Sequence, residues 1–156
     1  MTLLSAFLFF FIVPSETNTT MFFFQKTPKN ISINIQSNKS SYQIGDTIKI
    51  KVELTNQAKC KQKFCTYMTP FEGFKANIFS CIHQDDGTLD YQGKMVKRSK
   101  PSKKDFTKIN ASQTLTTNII LNEAYPITKL GQYSLQFKGH SINGLPDSNI
   151  LQFIVE

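Results

Sequence analysis

Apolar and polar residues alternate along most of the chain after residue 30, and no stretch carries a convincing helical period. Ile31, Ile33 and Ile35 alternate with Ser32, Asn34 and Gln36, which predicts a half-buried strand. Asn38-Lys39-Ser40-Ser41 ends it. Tyr42 to Asp46 reads as a turn in which Gly45 is free to adopt positive φ. Ile48, Ile50, Val52 and Leu54 then alternate with Lys49, Lys51 and Glu53, the clearest period-two run in the sequence. Phe64 to Thr69 predicts the next strand, broken by Pro70 and Gly73. Ile78 to His83 predicts another, closed by a hairpin turn at Asp85-Asp86-Gly87, with Leu89 and Tyr91 starting the return strand. Later strands fall at Phe106–Ile109, Leu115–Leu121, Tyr133–Phe137 and Ile150–Val155. About eight short strands separated by turn signals predict an all-β chain: an antiparallel immunoglobulin-like sandwich over residues 30–156. Gly131-Gln132-Tyr133 has the pattern of a tyrosine corner, whose hydroxyl would fix the loop before it.

The start of the chain breaks this pattern. Residues Leu3 to Val13 are nearly all apolar, too few to cross a bilayer, which needs about 20 residues. Their length fits the apolar region of a signal peptide, expected over residues 1–20 with cleavage between Ser15 and Thr20. No Lys or Arg precedes the run, and no small-x-small site is evident; a membrane anchor is the alternative. Residues 21–29, with Met21-Phe22-Phe23-Phe24, form a linker or the edge of a first strand. The expected location is secreted or extracytoplasmic. Seven of the 14 Phe lie in the first 24 residues, so the Phe count says little about the core.

The 156 residues make one domain's worth of chain, and 40% apolar content supports a modest core. Formal charge is +7; without the leader and its Glu16 the chain has 18 basic and 10 acidic residues, or +8. This favours anionic partners at long range. Gly93 to Lys104 gathers Lys94, Lys97, Arg98, Lys100, Lys103 and Lys104 around Pro101. It reads as an exposed loop that can also serve as an anion-binding edge. It lacks the interleaved aromatics that stack on bases, so no nucleic-acid partner is expected.

The three cysteines allow three pairings, each leaving one thiol over. Cys65 and Cys81, both inward on neighbouring predicted strands, are the candidate disulfide. Cys60 and Cys65 would instead close a small loop. Asn18, Asn30, Asn38 and Asn110 begin Asn-x-Ser/Thr sequons, with Asn38 and Asn110 in predicted turns the best glycan acceptors. No cofactor and no metal are expected. Three cysteines and two distant histidines do not make a zinc site, and Asp85 and Asp86 offer too few oxygens for calcium. Glycine-rich phosphate loops are absent. His83 and His140 are expected in exposed positions, with no nucleophile-elbow sequence beside them, so the chain is not read as an enzyme.

Several motifs from Tyr67 onward form a longer pattern: Tyr67-Met68-Thr69-Pro70-Phe71-Glu72-Gly73, Ile78-Phe79, Asp86-Gly87, Tyr91 to Arg98, Pro101 and Asp105-Phe106. Over roughly residues 30–139 the chain resembles the non-catalytic β-sandwich that precedes the zinc-peptidase domain in secreted metalloendopeptidases of the deuterolysin and peptidyl-lysine type. That family carries its zinc ligands in a His-Glu-x-x-His helix, a motif missing from this sequence, so no catalytic residue carries over. The resemblance implies a pro-region-like or inhibitor-like module acting on a metallopeptidase. Its candidate contacts are Thr69, Pro70, Phe71, Glu72 and Gly73 in the bend, and Lys94, Lys97, Arg98 and Lys100 in the loop. The alternative expectation is a surface module that binds anionic glycans or lipid head groups through the basic loop.

Overall fold

The computed structural model describes residues 30–156. The expected signal peptide, the linker and the Asn18 sequon lie outside the described residues. Ten strands follow in order: β1 (Ile31–Ser37), β2 (Ser41–Tyr42), β3 (Lys49–Asn56), β4 (Gln62–Cys65), β5 (Phe79–His83), β6 (Gly87–Thr88), β7 (Phe106–Ile109), β8 (Thr114–Ile120), β9 (Gly131–Phe137) and β10 (Leu151–Val155). One sheet has the order β1-β3-β8, a second β2-β10-β9-β5-β6, and β4 pairs with β7 in a separate ribbon. This division of early and late strands between two layers is that of an immunoglobulin-like sandwich.

Alternation puts the apolar side chains between the layers. Ile31, Ile33 and Ile35 of β1 and Ile50, Val52 and Leu54 of β3 are buried. They share one core with Phe79 and Cys81 of β5, Tyr133, Leu135 and Phe137 of β9, and Phe153 and Val155 of β10. No buried side-chain nitrogen or oxygen among the described residues lacks a hydrogen-bond partner.

Within the two sheets, two strand readings change. Ser41-Tyr42, expected in a turn, is a strand that pairs parallel to Ile154-Val155. The Tyr42 hydroxyl donates to Asn38 Oδ1 at 2.9 Å and holds the chain where it crosses between sheets. The return strand after the hairpin stops at Thr88, although Leu89 N–H still donates to the Cys81 carbonyl at 2.8 Å. Tyr91 leaves the sheet because its ring packs against Phe74 and Tyr125, at centroid distances of 6.4 and 5.6 Å. The tyrosine corner is present: Tyr133 hydroxyl donates to the Lys129 carbonyl at 2.8 Å.

The edge of β1 is closed by a side chain. Asn149 Oδ1 accepts from Ile35 N–H at 2.8 Å, and Asn149 Nδ2 donates to Ile35 O at 3.0 Å. The carboxamide thus takes the place of a neighbouring strand at that residue.

Candidate partner-binding site

The strand expected over Phe64–Thr69 ends at Cys65, because the backbone turns at once into a built bend. Met68 has φ 55, Pro70 opens a short 3-10 turn over Pro70–Glu72, and Gly73 leaves it at φ 74. Thr69 is fully buried, and its hydroxyl donates to Thr66 O at 2.7 Å. Asn143 Nδ2 donates to Met68 O at 2.9 Å from a distant loop. The Phe71 ring packs on Phe64 at 5.6 Å. Thr69 and Pro70 are therefore internal supports of the bend, and its accessible side comes from Phe71, Glu72 and Gly73.

The basic loop lies on this bend. Glu72 Oε1 accepts from Met68 N–H at 2.7 Å, and Glu72 Oε2 pairs with Arg98 Nη2. The Arg98 guanidinium also sits 4.3 Å from the centre of the Tyr67 ring. Val96 N–H donates to Lys75 O at 3.0 Å. Downstream, the Asp105 carboxylate accepts from Ser102 N–H at 2.8 Å and from its hydroxyl at 2.7 Å. Those bonds hold Asp105 below the usual carboxylate range. Partial burial, with Asp105 beside it, pushes the Tyr67 phenol up. So the structure brings Glu72 and Arg98 into contact and leaves Lys94, Lys97 and Lys100 exposed with no carboxylate partner among the described residues. The sequence reading did not single out Met95 and Val96, which stand 72% and 46% exposed between these cations.

His83 is a second correction. It is 3% exposed, not an exposed loop residue, because it continues the inward phase of Phe79 and Cys81 on β5. Nε2–H donates to Leu130 O at 3.0 Å. Nδ1 lies 2.8 Å from Asp86 Oδ2, and Asp86 Oδ1 is 2.7 Å from Lys129 Nζ. A hollow of about 230 Å³ beside them is lined by His83, Asp86, Leu89, Pro126, Lys129 and Tyr133, among others. Gly131 has φ 130, and a Cβ there would stand 2.8 Å from His83 Nε2. Lys129 holds Asp86 below the usual carboxylate range, and Asp86 raises Lys129 in turn. Thr88, Thr128 and Tyr133 supply the hydroxyls of its lining, and Asp86 is held between His83 and Lys129. Its polar chain fixes the turn between β5 and β6 to the approach to β9. His140 is exposed, as expected; its Nδ1 accepts from Ile142 N–H at 3.1 Å.

The Cys65–Cys81 pairing is not formed. Both residues are inward and fully buried, as expected, but all three cysteines are free thiols. The physical reason is topology: β4 pairs with β7 in the ribbon, and β5 lies between β9 and β6 in the large sheet. Burial pushes the Cys81 thiol up to about 12 and raises Cys65 as well. Asn38 and Asn110 are both exposed, and Asn110 opens the turn after β7. No group of three or more metal-ligating side chains occurs among the described residues.

No family model matches the chain. It is 28% identical over 92 residues to an extracellular protease of Aeromonas hydrophila, a match covering 59% of this chain and 26% of that protein. The chain thus spans about a quarter of the length of this relative. Among solved structures, an alkylpurine DNA glycosylase of Pseudomonas fluorescens superposes with a TM-score of 0.45 at 11% identity, over 81% of this chain and 30% of that one. A β-glucosidase of Listeria innocua superposes with a TM-score of 0.42 at 13% identity, over 80% of this chain and 16% of that one. Superpositions this loose bear on neither its fold nor its function. What stands is an all-β chain with sequence similarity to part of an extracellular protease.

Proposed function

We propose that this chain is a secreted, non-enzymatic β-sandwich module that docks a peptidase, in the manner of a pro-region or an inhibitor. The observation that carries the reading is its similarity to part of an extracellular protease over 92 residues. The resemblance to the accessory sandwich of deuterolysin-type metalloendopeptidases narrows the partner to a metallopeptidase. The commitment of His83, Asp86 and Lys129 to one another supports a binding role over a catalytic one.

The docking surface is the bend and the loop stitched over it. Met95 and Val96 supply apolar contact, flanked by Lys94 and Lys97 that steer an acidic partner. The Glu72–Arg98 pair and the Arg98–Tyr67 stack hold this loop before the partner arrives, which lowers the entropy cost of docking.

The test is capture from the source's secreted fraction with the full chain as bait, plus titration of the chain into assays of the Aeromonas hydrophila protease and other secreted metallopeptidases. A peptidase should be recovered, and Met95→Asp should abolish its recovery. Recovery of no peptidase, with no change in any metallopeptidase's activity, overturns the reading.

A further inference from the structure

We propose that the exposed face of the β4–β7 ribbon binds a linear sulfated or carboxylated polysaccharide. The register sets Lys63 directly opposite Lys108. Both are exposed, and Lys61, also exposed, directly precedes β4. Lys59, Lys103 and Lys104 are exposed on the segments that lead into the two strands.

Among the described residues outside the ribbon, five cations are neutralised and Lys49, Lys75, Lys94, Lys97 and Lys100 are not. Lys39, Lys51, Arg98, Lys129 and Lys138 each have a carboxylate within ion-pair distance. Among the described residues, none of the six lysines of the ribbon and its approaches has one. The acid in their midst, Asp105, is occupied by the Ser102 N–H and hydroxyl. Like charges directly opposite one another destabilise a strand pair. A bound anion between Lys63 and Lys108 removes that repulsion, so the ligand is stabilised by the same contact that relieves the fold.

The geometry favours a polysaccharide over other polyanions. Phe64 and Ile109 of the ribbon are buried, and Phe106, which shares the face of Lys63 and Lys108, is half-buried, so that face offers a bilayer little apolar surface to insert. Phe106 lies under the Lys63 ammonium, which is 5.2 Å from its ring centre, and this blocks base stacking. What remains is a flat row of ammonium groups. The Cβ atoms of Lys63 and Lys108 are about 5 Å apart across the ribbon, and Lys61 stands two residues from Lys63 just before β4. A flexible chain with repeated sulfate or carboxylate groups fits that row. Arg98 of the neighbouring loop is already held by Glu72, whereas none of the six lysines here has such a partner. The ribbon is distinct from the Met95–Val96 surface, so peptidase docking and glycan binding are separable.

The experiment titrates heparin into the full chain at several salt concentrations. The Lys61→Ala/Lys63→Ala/Lys108→Ala protein is expected to bind roughly tenfold more weakly at about 0.1 M salt, with the log–log salt slope lower by about two. The corresponding Lys→Arg protein should keep its affinity, and Lys94→Ala/Lys97→Ala/Lys100→Ala should lose less than about threefold. Heparin should also slow maleimide reaction at the exposed Cys60, next to Lys59 and Lys61, in the unmodified chain. The proposal is overturned if the ribbon variant binds as the unmodified chain does, if the loop variant loses as much, or if heparin leaves Cys60 unprotected. Tighter binding of phosphatidylserine vesicles or of oligothymidylate than of heparin overturns it as well.

Discussion

Arg98 and Glu72 are 26 residues apart in the chain, yet they meet as an ion pair in which the Glu72 side chain is only 9% exposed. Exposed ion pairs contribute little. This one is partly desolvated, and its guanidinium also stacks on Tyr67, so its contribution should exceed the surface norm. Arg98→Ala is expected to cost about 1–3 kcal/mol, because Glu72 would keep a single donor, Met68 N–H. Arg98→Lys should fall between, since it keeps the charge and loses the planar stack. Urea unfolding reads both. An unchanged midpoint for Arg98→Ala would mean that the loop and the bend are not coupled.

Tyr133 tests the corner. Tyr133→Phe removes the bond to Lys129 O and leaves the ring, which stacks on Phe153 at 5.4 Å, in place. The expected cost is about 1–2 kcal/mol, seen as a lower urea midpoint at constant slope. A changed slope would instead point to an altered denatured or native state.

The thiols should differ sharply. Cys60 is exposed and should react with maleimide in the native state, while Cys65 and Cys81 react only on unfolding. The sign at high pH follows from burial. Cys81 is pushed up to about 12 in the folded chain, and burial raises Tyr125 too. Stability from a raised group is complete below its unfolded value and is lost as pH rises toward the folded one. Unfolding midpoints should therefore fall between about pH 9 and 12. Intact mass showing one reactive thiol under denaturing conditions, and three only after reduction, would reveal an intramolecular disulfide that this fold does not form.

The acid side has the opposite sign. Glu53 is held below its usual range by Lys51, Asp86 by Lys129, Asp105 by the Ser102 N–H, and Asp147 by Lys138. Their stabilisation is present above about pH 4, the unfolded carboxylate range, and is lost as the pH falls through the depressed values. Thermal midpoints should drop as acid is added below about pH 4, and Asp105→Asn should make that drop shallower. An equally steep drop in Asp105→Asn would remove Asp105 from this account.

Most of the layered fold was legible because it depends on parity. Ile50, Val52 and Leu54 announce their inward face one residue in two, and the Gly131-Tyr133 spacing announced the corner. The same parity extends from Phe79 through Cys81 to His83 and would have placed that histidine inside, had its polar type not suggested an exposed position. What parity does not carry is pairing. The parallel contact of Ser41-Tyr42 with β10 spans two residues, too short for a pattern. The separation of Cys65 from Cys81 depends on which strand β4 joins, and that choice is made by packing across the molecule. In the site, the bend and the basic loop were both visible, but the ion pair joining them was not. Buried Thr69 and exposed Met95 reversed the roles that their chemistry suggested.

The opposed lysines offer the last test, because fold and ligand pull them in different directions. Lys63 and Lys108 face one another across the ribbon with no acid to separate them. Lys108→Glu turns a repulsive pair into an attractive one and should raise stability by about 0.2–1 kcal/mol at low salt. Adding salt should shrink this gain, since the Debye length falls from about 10 Å at 0.1 M to about 3 Å at 1 M. Lys63→Glu should do the same, less the contact its ammonium makes over Phe106. The double variant restores a like-charged pair and should return stability toward that of the unmodified chain, which separates the pairwise effect from two independent surface changes. Each single variant should also bind heparin more weakly, although it is the more stable protein. Stability that is unmoved at low salt in both single variants would show that the two ammonium groups avoid one another in solution, and the charge row would then not be the fixed template that a polyanion needs.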